Sequence, residues 1–436
     1  MKKLSFEKTC RFYGLLMGSL FLLVISPLGY RNIVETKAAV FYVLTLLFLL
    51  LSVICLRKEG RSLHPFTILD GLILAYWGWS LLSAFCSPWR DTAFLGANRC
   101  DGMLTITLYC AVFFLLRRRG EADLRLIWVP AAALCLFCLV AALQFFDLNP
   151  LMLYPGDLRW SGREREYNGA FLSLTGNADL TASVLCTGFG ILWACALERK
   201  KAWLLLPATA CLGVLLASGI RGGILGAIGG LVLCLPAALP VRRKAKLWTY
   251  AGLAVLALGF LVLVRSLPMH GTLGELHALL NGQAEASFGT GRIYIWRQAF
   301  DLIRERPLLG GGADTMGLRG LYFERMQDNG LLLRRTIDCA HNEYLNITVN
   351  QGIPALLCFL AALGIVLFRA FSSSSACARV FRAGLVSYMI DAFFGIATPA
   401  NAAFFWLLFG LLSAAAGHVD KESAEIDKVM HLGYNE

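Results

Sequence analysis

Twelve long apolar runs, separated by shorter polar segments, constrain this chain more than any other feature. They cover 12–29, 37–56, 67–86, 103–116, 126–146, 180–197, 203–218, 222–240, 247–264, 345–368, 380–397 and 401–417. A helix of about 20 apolar residues spans a bilayer, and inside lipid each backbone polar group must be satisfied within a helix or a closed barrel. The pattern therefore predicts an all-α polytopic membrane protein of about 12 transmembrane helices. Composition agrees. The 436 residues are 57% hydrophobic and 16% charged, whereas a soluble domain carries about 25% charged residues. The first run follows MKKLSFEKTCR, is long enough to span and shows no small-residue cleavage site. It reads as a first transmembrane helix, not a cleaved signal.

Basic residues orient the bundle. With the N-terminus inside, every cytoplasmic segment is basic: Lys2, Lys3, Lys8 and Arg11; Arg57, Lys58 and Arg61; Arg117–Arg119 and Arg125; Arg199–Lys201; Arg242–Lys244 and Lys246; Arg369, Arg379 and Arg382; Lys421 and Lys428. That is the positive-inside pattern, and it puts both termini in the cytoplasm. The net charge of +11 is thus mainly an orientation signal. No basic tail with interleaved aromatics points to nucleic acid. The basic residues outside are arginines apart from Lys37. Guanidinium offers a flat fork for phosphate or carboxylate and keeps its charge.

The chain divides into helices one to nine (1–264), a large extracytoplasmic insert between helices nine and ten (265–340), helices ten to twelve (341–418) and a cytoplasmic tail (419–436). A smaller outer region spans 147–179 and contains DLRWSGREREYNGAF. In the insert, Ile293, Trp296, Phe300 and Ile303 recur at helical spacing, and Pro307 with Gly310–Gly312 stops that helix. A second short helix is expected at 315–326. Most of the fourteen cysteines lie within apolar runs, where Cys behaves as a small hydrophobe, and no Cys/His spacing suggests zinc. Cys100 and Cys339 both face outward in this topology. They are expected as two free thiols, with a bond between them left open.

Topology gathers four polar positions on the outer side. Arg221 lies in SGIRGGILG, a tight connection between two apolar runs, where a charge should face a protein cavity and an anionic partner. Arg292 opens the amphipathic helix of the insert, where a cation opposes the macrodipole. His341, in AHNEYLNITVNQGIP, can exchange a proton near neutral pH. Asn342 and Glu343 join it, and Asp338 is the expected N-cap of the following helix. Asp391 is an intramembrane carboxylate, which defaults to a functional role, with an outer arginine or His341 as its expected partner. Arg99 and Arg297 are supporting candidates.

The order of these motifs resembles that of the O-antigen ligase and polymerase-like membrane proteins, a GT-C-like group. The matching pieces are LTGN at Leu174–Asn177, SGIRGG at Ser218–Gly223, GTGRIYIWRQAFDLIRERPLLGGG at Gly289–Gly312 and HNEYLNITVNQGIPALL at His341–Leu357. GANRCDG at Gly96–Gly102 is a weaker match. Ala178–Asp179 replaces the usual Pro-Asn. The resemblance implies a metal-independent, cofactor-free glycosyltransferase at the outer face of a bacterial cytoplasmic membrane. Its donor would be an undecaprenyl-pyrophosphate-linked glycan, and its acceptor a glycan, lipid or protein hydroxyl. By the same resemblance Arg221 and Arg292 hold the donor pyrophosphate, His341 activates the acceptor and Asp391 is an acidic catalytic residue. The mechanism would be an inverting single displacement. A rival reading is a multi-span transporter of an anionic solute, which fits Arg221 and Asp391 but explains the long insert poorly. A non-catalytic scaffold is a third.

Overall fold

The structure is a computed structural model that describes residues 5–60, 66–118, 123–146, 148–154, 172–239, 242–326 and 332–417. The stretch DLRWSGREREYNGAF and the tail 419–436 lie outside the described residues. Among the described residues there are sixteen α-helices, most of them on the apolar runs: α1 Phe6–Leu16, α2 Ile33–Glu59, α3 Ile68–Phe85, α4 Arg90–Leu95, α5 Met103–Arg117, α6 Trp128–Phe145, α7 Ala178–Arg199, α8 Leu205–Ser218, α9 Arg221–Ala238, α10 Arg243–Ser266, α11 Gly271–Leu280, α12 Arg292–Glu305, α13 Glu343–Gln351, α14 Ile353–Ser372, α15 Ala376–Asp391 and α16 Pro399–Gly417.

Among the described residues, eight helices are long and apolar enough to cross a membrane, fewer than the twelve expected. The other four runs take different forms. Run 12–29 begins in α1 and continues as a π turn, Met17–Phe21. Runs 103–116 and 203–218 become the shorter helices α5 and α8. Run 380–397 is α15, which stops at Asp391. Run 345–368 also breaks, into α13 and α14. Gly352 has φ 91° and packs directly on the Leu308 carbonyl, a backbone geometry that suits glycine. Pro354 then fits the first turn of α14.

The core is organised around α7 and α16, each 89% buried over its spanning window, whereas α10 is only 6% buried. Helix α15 packs against both α7 and α9. The α9 face that meets it is Gly222, Gly226 and Gly230, four residues apart. A Cβ on Gly226 would lie 2.7 Å from the Ser387 carbonyl and 3.1 Å from Asp391 Cβ. Small residues at this spacing let helices approach closely in a membrane, and here they fix the end of α15.

The insert holds α11, α12 and a two-stranded antiparallel hairpin, β1 Tyr322–Met326 with β2 Leu332–Thr336, in register Tyr322↔Thr336. The helix expected at 315–326 is instead a 3-10 turn, Met316–Leu318, followed by β1. Gly317 and Gly320, the latter at φ 72°, interrupt a helix there, and Tyr322 and Phe323 favour a strand. The buried stripe of α12 is Ile295, Ala299 and Leu302, one position away from the expected one. Phe300 is half exposed. These side chains form a small second core with Met316, Ile337, Ala340 and Val349.

PLLGGG, after α12, docks the insert onto the bundle. Gly311 and Gly312 N–H groups donate to the Val349 and Asn350 carbonyls, and Ile353 N–H donates to Pro307 O. Ser83 and Ser87 hydroxyls and the Trp79 indole from α3 and its end hold the same loop. Every described cysteine, Cys100 and Cys339 included, is a free thiol.

Candidate active site

One carboxylate that the sequence reading did not select sits at the centre of the polar cluster. Asn177 caps α7, accepting from the Asp179 and Leu180 N–H groups at 2.8 and 3.3 Å. That places Asp179 in the first helical turn, where the macrodipole favours an anion. His341 Nδ1 lies 3.3 Å from Asp179 Oδ2, and Arg292 Nη2 lies 3.6 Å from Asp179 Oδ1. The two carboxylate oxygens thus face two of the four residues chosen from sequence.

Arg292 opens α12 after Gly291, which has φ 87°. Its guanidinium donates to Phe394 O at 2.9 Å, Gly289 O at 3.3 Å and Thr290 Oγ1 at 3.1 Å. Its Nε is buried with no hydrogen-bond partner among the described residues. His341 sits at φ 47° and Thr290 at φ 60°, left-handed values that non-glycine residues adopt at a cost. Both flank the cluster.

The chain turns sharply before α13. Asn342, not Asp338, caps that helix, with Oδ1 accepting from Leu345 N–H at 3.0 Å. Asp338 is engaged elsewhere, by Arg99 Nη2 at 2.8 Å. Burial works against the Asp338 charge, but Arg99 more than offsets it and holds the carboxyl below the usual range. The Gly96–Gly102 loop that carries Arg99 wraps Asp314, whose Oδ2 accepts from Ala97 N–H at 2.6 Å. Arg99 therefore braces the segment just before His341.

Asp391 is 2% exposed. It hydrogen-bonds Ser183 and lies in the electrostatic reach of Asp179 and Arg292. The expected ion pair between Asp391 and an outer arginine or His341 does not form. Asp179, projecting from the facing end of α7, takes that place. The turn that ends α15 is nevertheless the hub of the site. Its Ala392 carbonyl accepts from Glu343 N–H and its Phe394 carbonyl from Arg292. Glu343 itself is hydrogen-bonded by the Tyr388 hydroxyl at 2.7 Å.

Arg221, at the start of α9, pairs with Glu275 of α11 at 3.0 Å and is half exposed. Glu275 also accepts from Gly289 N–H, so the pair tethers the segment leading into Arg292. Gly222, the next residue, packs against Asp391. Arg221 and Asp391 thus lie at the same end of α9 and α15. Arg297 is exposed on α12 and makes no contact with this cluster among the contacts described.

His341 carries an unusual charge state. The Cys339 sulfur, when ionised, and the hydrogen-bonded Asp179 carboxylate favour the imidazolium. Together they outweigh burial and push its pKa up to about 10. Both contacts favour the protonated ring over the free base.

Residues 180–360 match the family model described as O-Antigen ligase. The match covers less than half of the chain and is a similarity of that stretch alone. It spans Arg221, Arg292, His341, Asn342 and Glu343, while Arg99, Asp179 and Asp391 lie outside it. No curated protein matches the chain. The eight apolar helices among the described residues fit a multi-pass membrane protein.

Asp179 had a sequence signal. Asn177-Ala178-Asp179 at the head of an apolar run is an N-cap followed by a first-turn acid, at the same end of the bundle as His341.

Proposed function

We propose that this protein transfers a glycan from a polyprenyl-pyrophosphate donor to an acceptor hydroxyl at the outer membrane face. Inversion would follow from a single displacement. The observation that carries the reading is the convergence of Arg292 and His341 on Asp179, beside Asp391, at the edge of the O-antigen ligase region. Departure of a lipid pyrophosphate leaves negative charge, and preorganised cations stabilise it. Arg292 supplies a buried donor without a partner among the described residues. Arg221 supplies a second cation from a half-exposed pair that a pyrophosphate can compete for.

An apolar groove runs between α1, α6, α7 and α16. Leu15, Ile127, Leu134, Leu192, Phe404 and Leu411 are among the residues that line it. It ends at Ser183, Tyr388 and Asn401, which adjoin Asp391 and Glu343 through Ser183 and Tyr388. Such a groove suits a lipid-linked substrate. The acceptor proton goes to His341 or to Asp391. A His341 base works only after losing its own proton, so the rate through it rises as pH rises toward its raised pKa. The test is glycan transfer by purified protein in liposomes, given a synthetic polyprenyl-pyrophosphate glycan. His341→Ala and Arg221→Ala are expected to abolish transfer while still inserting in the membrane. Full transfer by either variant removes that residue from the mechanism.

A further inference from the structure

The two contacts of Asp179 carry more than structural support. Its backbone N–H donates to the Asn177 cap at the head of α7, and its carboxylate is shared between the cation proposed for the donor and the histidine proposed for the acceptor. We propose that Asp179 is a positioning residue that couples the two half-sites. One oxygen fixes His341 through Nδ1, and the other tethers Arg292 until an anionic pyrophosphate draws Arg292 away. The full Asp179 charge then falls on His341. This rests on the glycan-transfer reading above for its meaning, but its geometry stands apart from it.

The strained φ of His341 fits such a hold. A residue kept at φ 47° needs its surroundings to over-determine it. Asn342 does so from the C-terminal side, by capping α13, and Arg99 does so through Asp338 from the N-terminal side. Asp179 supplies the third point, on the ring at Nδ1, and the Cys339 sulfur also contacts the ring. With Nδ1 engaged, the chemistry toward an acceptor falls to Nε2. A carboxylate behind an imidazole sets ring orientation and stabilises the imidazolium that forms on proton uptake. Sharing it with Arg292 weakens that stabilisation in the empty site, and donor binding restores it. Donor binding would then hold His341 more firmly as the imidazolium and raise the pH at which it becomes a base.

The charged and titratable groups facing His341 are few enough to separate. They are Asp179 from α7, Arg292 from α12, Cys339 and Asp338 on its own approach, Glu343 from α13 and, behind Asp179, Asp391 from α15. Asp338 is taken by Arg99 and Glu343 by Tyr388. Cys339 is the one rival source of negative charge in direct contact.

The test is solid-state NMR of isotope-labelled histidine in the full-length protein in lipid, followed across pH. The His341 signal is assigned by its loss in His341→Gln. The expected wild-type imidazolium persists above the ordinary histidine range. Cys339→Ser should lower its midpoint, since the Cys339 sulfur is the largest source of the elevation, and Asp179→Asn should lower it by about one pH unit or more in the wild-type and the Cys339→Ser backgrounds alike. Arg292→Gln should move the midpoint up, because Asp179 then serves His341 alone. A short-chain polyprenyl pyrophosphate should do the same in the wild type and have no effect in Arg292→Gln. An unchanged midpoint in Asp179→Asn overturns the proposal. So does a wild-type midpoint in the ordinary histidine range, a result that needs no variant to fold. In the transfer assay, Asp179→Asn should shift the rising limb of the pH–rate profile to lower pH, and Asp179→Glu should restore it in part. A protein that shows the NMR behaviour but no glycan transfer keeps the coupling and loses the reaction assigned to it.

Discussion

Helices α7 and α10 are both long and apolar, yet their surroundings are opposite. The spanning window of α7 is 89% buried and that of α10 is 6% buried. Each leads to a carboxylate that holds a site arginine. Asp179, in the first turn of α7, holds Arg292 and His341. Glu275, on α11 just after α10, holds Arg221. The first pair is anchored in the core of the bundle. The second is anchored on a peripheral arm and is exposed enough for solvent to compete. The difference separates two jobs. Under the proposed glycan transfer, the α7 side would preset the geometry for chemistry, and the more exposed α10–α11 side would give way to the substrate.

Four perturbations would break or sharpen that contrast. Removing the preset side should cost most. His341→Ala and Arg292→Ala are each expected to lower glycan transfer by about 100-fold or more, measured in liposomes against membrane-inserted protein. Transfer within a few-fold of wild type would place the chemistry elsewhere. Overpacking the α9–α15 seam comes next. Gly226→Val puts carbon against the Ser387 carbonyl and Asp391 and should destabilise the protein by about 1–3 kcal/mol. A lower thermal midpoint in detergent, with weaker transfer, would show it. On the arm, Glu275→Gln frees Arg221 and should change transfer by only a few-fold, since a half-exposed ion pair contributes about 1 kcal/mol or less. A loss as large as that of His341→Ala would mean the arm is as rigid as the core.

The smallest effect is on stability. Because the His341 pKa is raised in the folded protein, its pairing stabilises fully below the unfolded histidine pKa. That contribution fades as pH rises through the raised value. Thermal midpoints of wild type and His341→Gln should therefore converge at alkaline pH. A gap that widens there would reverse the sign.

Much of this arrangement was legible in the chain. Hydropathy gave the helical membrane class, the tight Arg221 connection and the start of α12 at Arg292. It overcounted long spans because hydrophobicity does not reveal the π turn after α1, the stop of α15 at Asp391 or the break at Gly352. Those depend on backbone contacts made by distant segments, such as Leu308 against Gly352. The strand at Tyr322 was hidden behind a pattern that also suited a helix. The candidate site was half legible. Arg292 and His341 could be placed on one side by topology. The carboxylate that joins them could not, because Asp179 comes from 162 residues away in sequence and looks like an ordinary first-turn acid. Asp391 drew attention as an acid within an apolar run. In the structure it sits behind the ion pair, and the carbonyls of Ala392 and Phe394 in the turn after it accept from Glu343 and Arg292.

The central claim is most directly tested by the pH–rate profile of glycan transfer in liposomes, with wild type compared with His341→Gln on a synthetic polyprenyl-pyrophosphate donor. The account predicts a wild-type rate that climbs with pH toward the raised His341 pKa, and a variant with little transfer at any pH. A His341→Gln protein with wild-type rates and the same pH dependence would contradict it.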